Sequence, residues 1–528
     1  MYDEEKEKII KRNNVNQTIQ ITSISNYTLK IQNKFFRYFK TLFIILIIIL
    51  VLLFILFLRK IMNKSNTIEN LDQFENINNG KNGQNSNKNI GNNKKEKNDL
   101  NRKLGIAFVY STLFSNGIAR FVTLTANYFV ETGKYDVYLI TGKPYPKEYK
   151  CNKKIRRFIG HDNVNVIKKI YDKYKIDFFI LQNVLSKTSI NWYKSLGAKI
   201  IGMYHGNYMS SMYTNDPFIY RHWNQFDLFD AFVFITADDY YFYNRLNFKN
   251  HIFIPNLYTF EPSRVNSSNL TYNNIIMLGR ENDKIKGAIY AIKAMHLIVK
   301  IIPDAKLKII SSDSRIQFLK NLTNELNLTD SVTIMYHTYD ISKHLLNSSI
   351  HMFTSLSEAF PMAMNEGKAH GLPIVAFDVP ISPPYQNGVI TVDSLDYIGL
   401  ARESIKLLKD YNYRKKMGDY AKSSLDIFSN NKTVELWGKL FTSLREEEEK
   451  FRNLQKEVEN KYYNEKSAKI HIEKHFKDMK KYNSNFSCYT LENFTDIYYI
   501  SKIKACSKKN KTITNNNKVT KKSKKSKV

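Results

Sequence analysis

Two glutamates eight positions apart, Glu358 and Glu366, stand in the stretch S-L-S-E-A-F-P-M-A-M-N-E-G-K-A-H-G-L-P-I-V from Ser355 to Val375. Short apolar runs, Ile350–Phe353 and Ile374–Phe377, flank it and read as buried strands. Pro361 suits the first position of a helix, where its missing N–H costs nothing, and Gly371 suits the left-handed stop. Glu358 then lies just ahead of a helix and Glu366 about a turn and a half inside it. The backbone amides of residues 359 to 362, including Phe360, Pro361 and Met362, would face outward at the helix start and form an anion site, with proline removing one donor. Two carboxylates alone would suit acid/base chemistry, as in a hydrolase. They equally suit holding hydroxyl groups: a ribose diol on Glu366, a hexose on Glu358.

The loop Gly279-Arg280…Lys286-Gly287 decides between these chemistries, because it follows a strand and opens a helix. The planar fork of Arg280 matches phosphate oxygens, and Lys286 adds a point charge. Together they neutralise a diphosphate and stabilise it as it departs. A solvated basic turn is the plain alternative for that loop standing alone.

These groups need a scaffold that brings strand ends together. Strand-like runs alternate with helical segments from Leu104 to Pro255 and again from Ile275 to Phe428. Such alternation indicates parallel sheets covered on both faces. The polar stretch Glu261–Asn274 separates the halves as a linker. The fold class is therefore α/β, with two Rossmann-like domains facing across a cleft, where open parallel sheets bind ligands at the carboxyl ends of their strands. In the first half, Ser115-Asn116-Gly117-Ile118-Ala119-Arg120 reads as a turn, with Asn116 and Gly117 placed for a phosphate or acceptor and Asn tolerant of a left-handed backbone.

The segments run as follows: 1–40, a polar tail; 41–58, a membrane span; 59–102, a flexible stem; 103–260, the first Rossmann-like domain; 274–428, the second. A return helix covers 429–447, a charged helical extension 448–490 and a basic tail 491–528. Thr41–Leu58 holds no charge, and at 1.5 Å per residue it reaches about 27 Å, enough for a bilayer core. Lys30, Lys34, Arg37 and Lys40 precede it against Arg59, Lys60 and Lys64 after it, which favours a cytosolic N-terminus. The Asn-x-Ser/Thr triplets at Asn266, Asn321, Asn327, Asn347 and Asn431 fit a lumenal remainder. In a eukaryote that means the secretory pathway, endoplasmic reticulum or Golgi. The net charge of +31 owes much to the eleven lysines from Ser501 to Val528, and no nucleic-acid partner is expected from it. Cys151, Cys488 and Cys506 are too scattered for a disulfide framework or a thiolate zinc site.

From about Leu104 to Arg445 the chain resembles a retaining glycosyltransferase of family 4 with the GT-B architecture. The signals are G-R-x5-K-G at 279–287, the Glu358/Glu366 pair, K-A-H-G-L-P-I-V-A-F-D after it, P-D-A-K-L-K-I-I at 303–310 and the helix bearing Trp437. The resemblance implies transfer of a hexose from a nucleotide diphosphate sugar to a glycan, glycolipid or glycoprotein, with retention and without an essential metal or other cofactor. It implies that Arg280 and Lys286 bind the diphosphate, Glu366 the ribose and Glu358 the donor sugar. It also implies that His205, in M-Y-H-G-N, faces the reacting centre, so that Glu358 and His205 are the catalytic candidates. Departures from the family pattern are Ala-Phe-Pro-Met at 359–362, where Gly-Phe-Gly-Leu is common, and Ser311-Ser312-Asp313 where glycines are expected. Asp313 and Asp378 receive no role. The competing readings are a sugar-nucleotide epimerase or phosphorylase of the same fold, and a non-catalytic sugar-binding or membrane-tethering protein.

Overall fold

Two all-parallel sheets, of seven and six strands, share one strand order over their first six strands and organise the chain. A computed structural model describes residues 102–114, 116–182, 186–208, 223–245, 248–279, 286–311, 316–336, 338, 340–379, 387–462 and 464–482. The expected span at 41–58, the stem through 101 and the tail at 491–528 lie outside the described residues, and so do Arg280 and Asp313. Among the described residues, no helix is long and apolar enough to cross a membrane.

The first lobe runs β1 (Leu104–Val109), α1 (Gly117–Glu131), β2 (Tyr135–Thr141), β3 (Arg156–Ile159), α2 (Val164–Tyr174), β4 (Ile176–Leu181), α3 (Lys187–Ser195), β5 (Lys199–Tyr204), β6 (Ala231–Phe234), α4 (Ala237–Asn244) and β7 (His251–Phe253). The second runs β8 (Asn274–Leu278), α5 (Ala288–Ile298), β9 (Lys306–Ser311), α6 (Ile316–Glu325), β10 (Val332–Tyr336), α7 (Ile341–Leu346), β11 (Ile350–Phe353), α8 (Met362–Ala369), β12 (Ile374–Phe377), β13 (Val389–Val392), α9 (Tyr397–Lys409) and α10 (Tyr411–Ser423). Then follow α11 (Asn430–Arg445), α12 (Glu448–Tyr462) and α13 (Glu465–Tyr482).

Strand order is β3-β2-β1-β4-β5-β6-β7 in the first sheet and β10-β9-β8-β11-β12-β13 in the second. In each, the chain runs outward through its first three strands and then returns to the other side of the first, which leaves a switch point between β1 and β4 and between β8 and β11. A doubly wound sheet opens its ligand crevice at such a switch point. The central strands are buried on both faces: Ile200, Ile201, Phe232, Val233, Ile374 and Val375 are fully covered.

α11 closes the unit by returning to the first lobe. Its Phe441 ring lies 4.8 Å from Phe178 and 5.5 Å from Tyr135, and Trp437 meets Phe129 edge-on at 6.0 Å. Asn430 fixes the crossing, accepting from Tyr258 N at 2.6 Å and donating to Tyr128 Oη at 2.9 Å.

Several expectations change. Within the turn expected at 115–120, residues 117–120 are in fact the first turn of α1. Asn116 is extended (φ −139°), not left-handed, and caps the helix by accepting from Ala119 N at 2.5 Å. Gly117 is its first helical residue. β3, unread in the sequence, pairs with β2 at an edge. The 261–274 linker is packed, with Leu270 buried and Ser268 Oγ donating to the carbonyl of Ser348 at 2.6 Å. Arg102, assigned to the stem, binds both oxygens of Asp177 at 2.7 Å. The charged extension is more than a solvated rod: Phe451, Leu454, Val458 and Tyr462 of α12 are buried.

Candidate functional site

The site assembles at the two switch points. After β8 the chain reaches Gly279, and the loop from it ends at Lys286-Gly287, the entry to α5. Gly287 has φ +65°, and a Cβ there would stand 2.3 Å from the Thr354 carbonyl oxygen at the end of β11. Only glycine fits so close to a neighbouring backbone. Thr354 Oγ1 also donates to Lys286 O at 2.8 Å. This double tie sets Lys286 beside the loop that follows β11, where its Nζ bonds Glu358.

That loop leads into α8. Helix α8 begins at Met362, so Pro361 precedes the first helical residue rather than occupying it. The Met362 N–H donates to the Phe360 carbonyl at 2.8 Å. Two of the four amides expected as an anion cradle are therefore not donors to a ligand, one for want of a hydrogen and one because it is already engaged. The stop at Gly371 is as expected, with φ +69°.

Glu366 lies inside α8 and is buried, 4% exposed. Its Oε1 accepts from Arg120 of α1, an ion pair that crosses from one lobe to the other. The Arg120 guanidinium also lies over the Tyr149 ring at 5.0 Å. A second crossing comes from the loop after β5: Asn207 Nδ2 donates to the Glu358 carbonyl at 2.6 Å and to Ser357 Oγ at 3.1 Å. Asn116, Gly117, Arg120, Lys286, Ser311, Glu358, Phe360, Met362 and Glu366 line one common cleft.

His205 and Pro361 are not among the residues lining that cleft. His205 sits two positions before Asn207, with Nε2 2.8 Å from Gln182 Oε1 and its ring 5.0 Å from Phe121. Desolvation pushes its pKa down to about 3, so the imidazole is neutral at physiological pH. The cleft thus holds two carboxylates, each matched by a cation, with a neutral histidine behind it.

Sequence reasoning missed Arg120, Asn207 and Gln182 as members. Arg120 carries one signal in hindsight. It stands in the first turn of a helix that has no acidic residue there, so it opposes the helix dipole. A cation so placed calls for a carboxylate from elsewhere.

Comparisons with known proteins bear on the family and the fold. The model of the Glycosyl transferases group 1 family matches residues 260–424. An uncharacterized glycosyltransferase of Haemophilus influenzae is 40% identical over 93 residues, 18% of this chain and 26% of that protein. The poly(glycerol-phosphate) alpha-glucosyltransferase of Bacillus subtilis is 24% identical over 234 residues, 42% of this chain and 34% of that protein. The chain thus spans about a third or less of the length of these curated relatives. Among solved structures, sucrose-phosphate synthase from Thermosynechococcus elongatus superposes with a TM-score of 0.54 at 16% identity, covering 65% of this chain and 99% of that one. Anabaena HepE in complex with UDP gives 0.52 at 11% identity, covering 64% and 100%. At these identities the likeness is one of fold. The chain has the GT-B-like α/β fold, and its second lobe carries a group 1 glycosyltransferase domain.

Proposed function

We propose that the protein is a retaining glycosyltransferase of family 4. It moves a hexose from a nucleotide diphosphate sugar to a glycan, glycolipid or glycoprotein acceptor. The observation that carries this reading is the convergence of Lys286, Glu358 and Glu366 at one switch point, with Arg120 and Asn207 reaching them from the other lobe. HepE, of the same fold, was solved with UDP, which fits a nucleotide diphosphate in such a cleft.

In this reading Lys286 exchanges its bond to Glu358 for one to the donor's diphosphate, joined there by Arg280. Glu366 holds the ribose diol while Arg120 keeps its carboxylate oriented. Glu358, released from the lysine, accepts hydroxyls of the donor sugar. The bond from the anomeric carbon to the phosphate oxygen breaks, and the acceptor oxygen bonds to that carbon on the same face. The acceptor's proton passes to a diphosphate oxygen. The neutral His205, behind the cleft lining, acts toward the sugar side through the Asn207 loop and carries no charge into the transition state. Asn116 and Gly117 border the acceptor side of the cleft. The reaction needs no metal in this scheme, because Arg280 and Lys286 supply the countercharge. Residues 41–58 anchor the enzyme in a bilayer with the N-terminus cytosolic, and the stem presents the lobes to a lumenal or external acceptor.

The test is to incubate the detergent-solubilised full chain with a panel of nucleotide sugars and follow donor cleavage and glycosylation. We expect one donor to be turned over by the wild type, and at least hundredfold loss in Lys286→Ala and Glu366→Ala with the fold intact. Undiminished transfer by either variant would overturn the site assignment.

A further inference from the structure

The last helix of the described residues, α13, brings to the lobes a cluster that sugar transfer does not use. α13 carries His471 and His475 four positions apart, so both project from one face. They are 9% and 3% exposed, their rings stand at 89° to each other, and their Nε2 atoms are 2.9 Å apart. Asp378, just past the end of β12 in the second lobe, completes the group. One ligand atom from each of the three residues lies within 4.8 Å of the others.

Behind them stands Asp238, at the start of α4 in the first lobe. Its Oδ2 accepts from His471 Nδ1 at 2.6 Å. A carboxylate on Nδ1–H selects the tautomer whose Nε2 lone pair is available, and the same arrangement supports metal-bound histidines generally. That lone pair accepts from His475 Nε2–H, whose proton a bound divalent ion replaces. Two buried imidazole nitrogens aimed at one another beside a carboxylate are what a borderline-soft divalent ion binds. A tetrahedral ion with nitrogens at about 2.1 Å sets them roughly 3.4 Å apart, so the rings need part by only about half an ångström.

We propose that His471, His475 and Asp378 form a three-ligand site for a divalent transition metal of the zinc class, which clamps α13 to both lobes. His471 and His475 come from the extension, Asp378 from the second lobe, and Asp238 steadies His471 from the first. The donor set of two imidazoles and one carboxylate favours zinc, cobalt or nickel over magnesium or calcium. Lys474, half exposed, bonds Asp378 and is the competing cation. It moves into solvent or shares the carboxylate when the ion binds. The helix does not depend on the ion for its place, because Ala468 and Ile472 are buried in the core of the first lobe.

The test strips the full chain with a chelator and titrates it with cobalt(II), whose visible ligand-field spectrum reports tetrahedral nitrogen and oxygen ligation. We expect one saturable equivalent, displaced by zinc. His471→Ala and His475→Gln should weaken it at least tenfold, His296→Ala should leave it unchanged, and Lys474→Ala should bind at least as tightly as wild type. The wild-type spectrum decides the matter without any variant: no saturable cobalt band overturns the proposal. Binding of equal strength in both histidine variants overturns it too.

Discussion

The two lobes share a strand order and divide the chemistry. In the first, the connection from β1 ends on the Asn116 cap of α1, and what this lobe sends to the cleft is a cation and a neutral donor, Arg120 and Asn207. In the second, the connection from β8 ends at Gly287 against the Thr354 backbone, and this lobe holds both carboxylates and Lys286. The comparison teaches that topology decides where a crevice lies, whereas the residues after the first strand decide what it binds. One lobe holds; the other reaches across.

The sharpest way to break that comparison is at the paired glycines. Gly287→Ala would place a methyl 2.3 Å from the Thr354 oxygen at φ +65°. Overpacking and a left-handed alanine together cost about 3 kcal/mol. The shift needed to relieve the clash would also carry Lys286 away from Glu358. We expect a large fall in the thermal midpoint and loss of nucleotide-sugar turnover. Gly117→Ala is the counterpart in the first lobe, where an added Cβ meets nothing within 4 Å. Alanine there should leave the midpoint unchanged or raise it slightly, since a helical glycine is disfavoured by about 1 kcal/mol. Equal losses from both substitutions would mean that the lobes do not differ as described.

A middle-sized effect is expected at the ion pair between lobes. Arg120→Met keeps the length of the side chain and leaves the buried Glu366 carboxylate without its cation. Stranding a buried charged acceptor costs about 2 kcal/mol. The KM for the nucleotide sugar should rise about tenfold, because the ribose-holding carboxylate loses its orientation. Combining Arg120→Met with Glu366→Gln should cost less than the sum of the two, as for any contacting pair. Strict additivity in stability would show that the two side chains do not depend on each other.

The fold was legible because strands buried on both faces read as unbroken apolar runs, such as I-I-G-M-Y in β5 and I-V-A-F in β12. β3 was not, since R-R-F-I lies at an edge with one neighbour and keeps its arginines in contact with solvent. The start of α1 was misread for a local reason: an asparagine cap and a glycine look like a turn until the amide they satisfy is known. Lys286, Glu358 and Glu366 were legible because their spacing relative to strand ends carries their placement. Arg120 and Asn207 were not, because their partners lie 246 and 151 positions away, beyond any periodicity. Asp378 had no role in the sequence reading for the same reason: its neighbours His471 and His475 belong to a helix some hundred residues on.

The smallest effect concerns pH, and it separates two buried histidines, one at the end of β5 and one within β11. Burial pushes both His205 and His351 down to about 3 from an ordinary 6.5. Each stays neutral in the folded chain while the unfolded chain takes up a proton below about 6.5. Stability is therefore complete above that value and drains as pH falls from about 6.5 toward 3. His205→Gln and His351→Leu should each flatten the acid limb of the stability curve, measured by urea unfolding between pH 4 and 7. They should differ in catalysis. Neither histidine should contribute a limb near pH 6.5 to kcat/KM, but only His205→Gln should lower kcat. His351 is enclosed beneath α8, against Gly367, while His205 leads through Asn207 to the Glu358 loop. A wild-type kcat/KM profile that breaks near 6.5 and loses that break in His205→Gln would show that this imidazole ionises during turnover, and the first lobe would then contribute more than positioning.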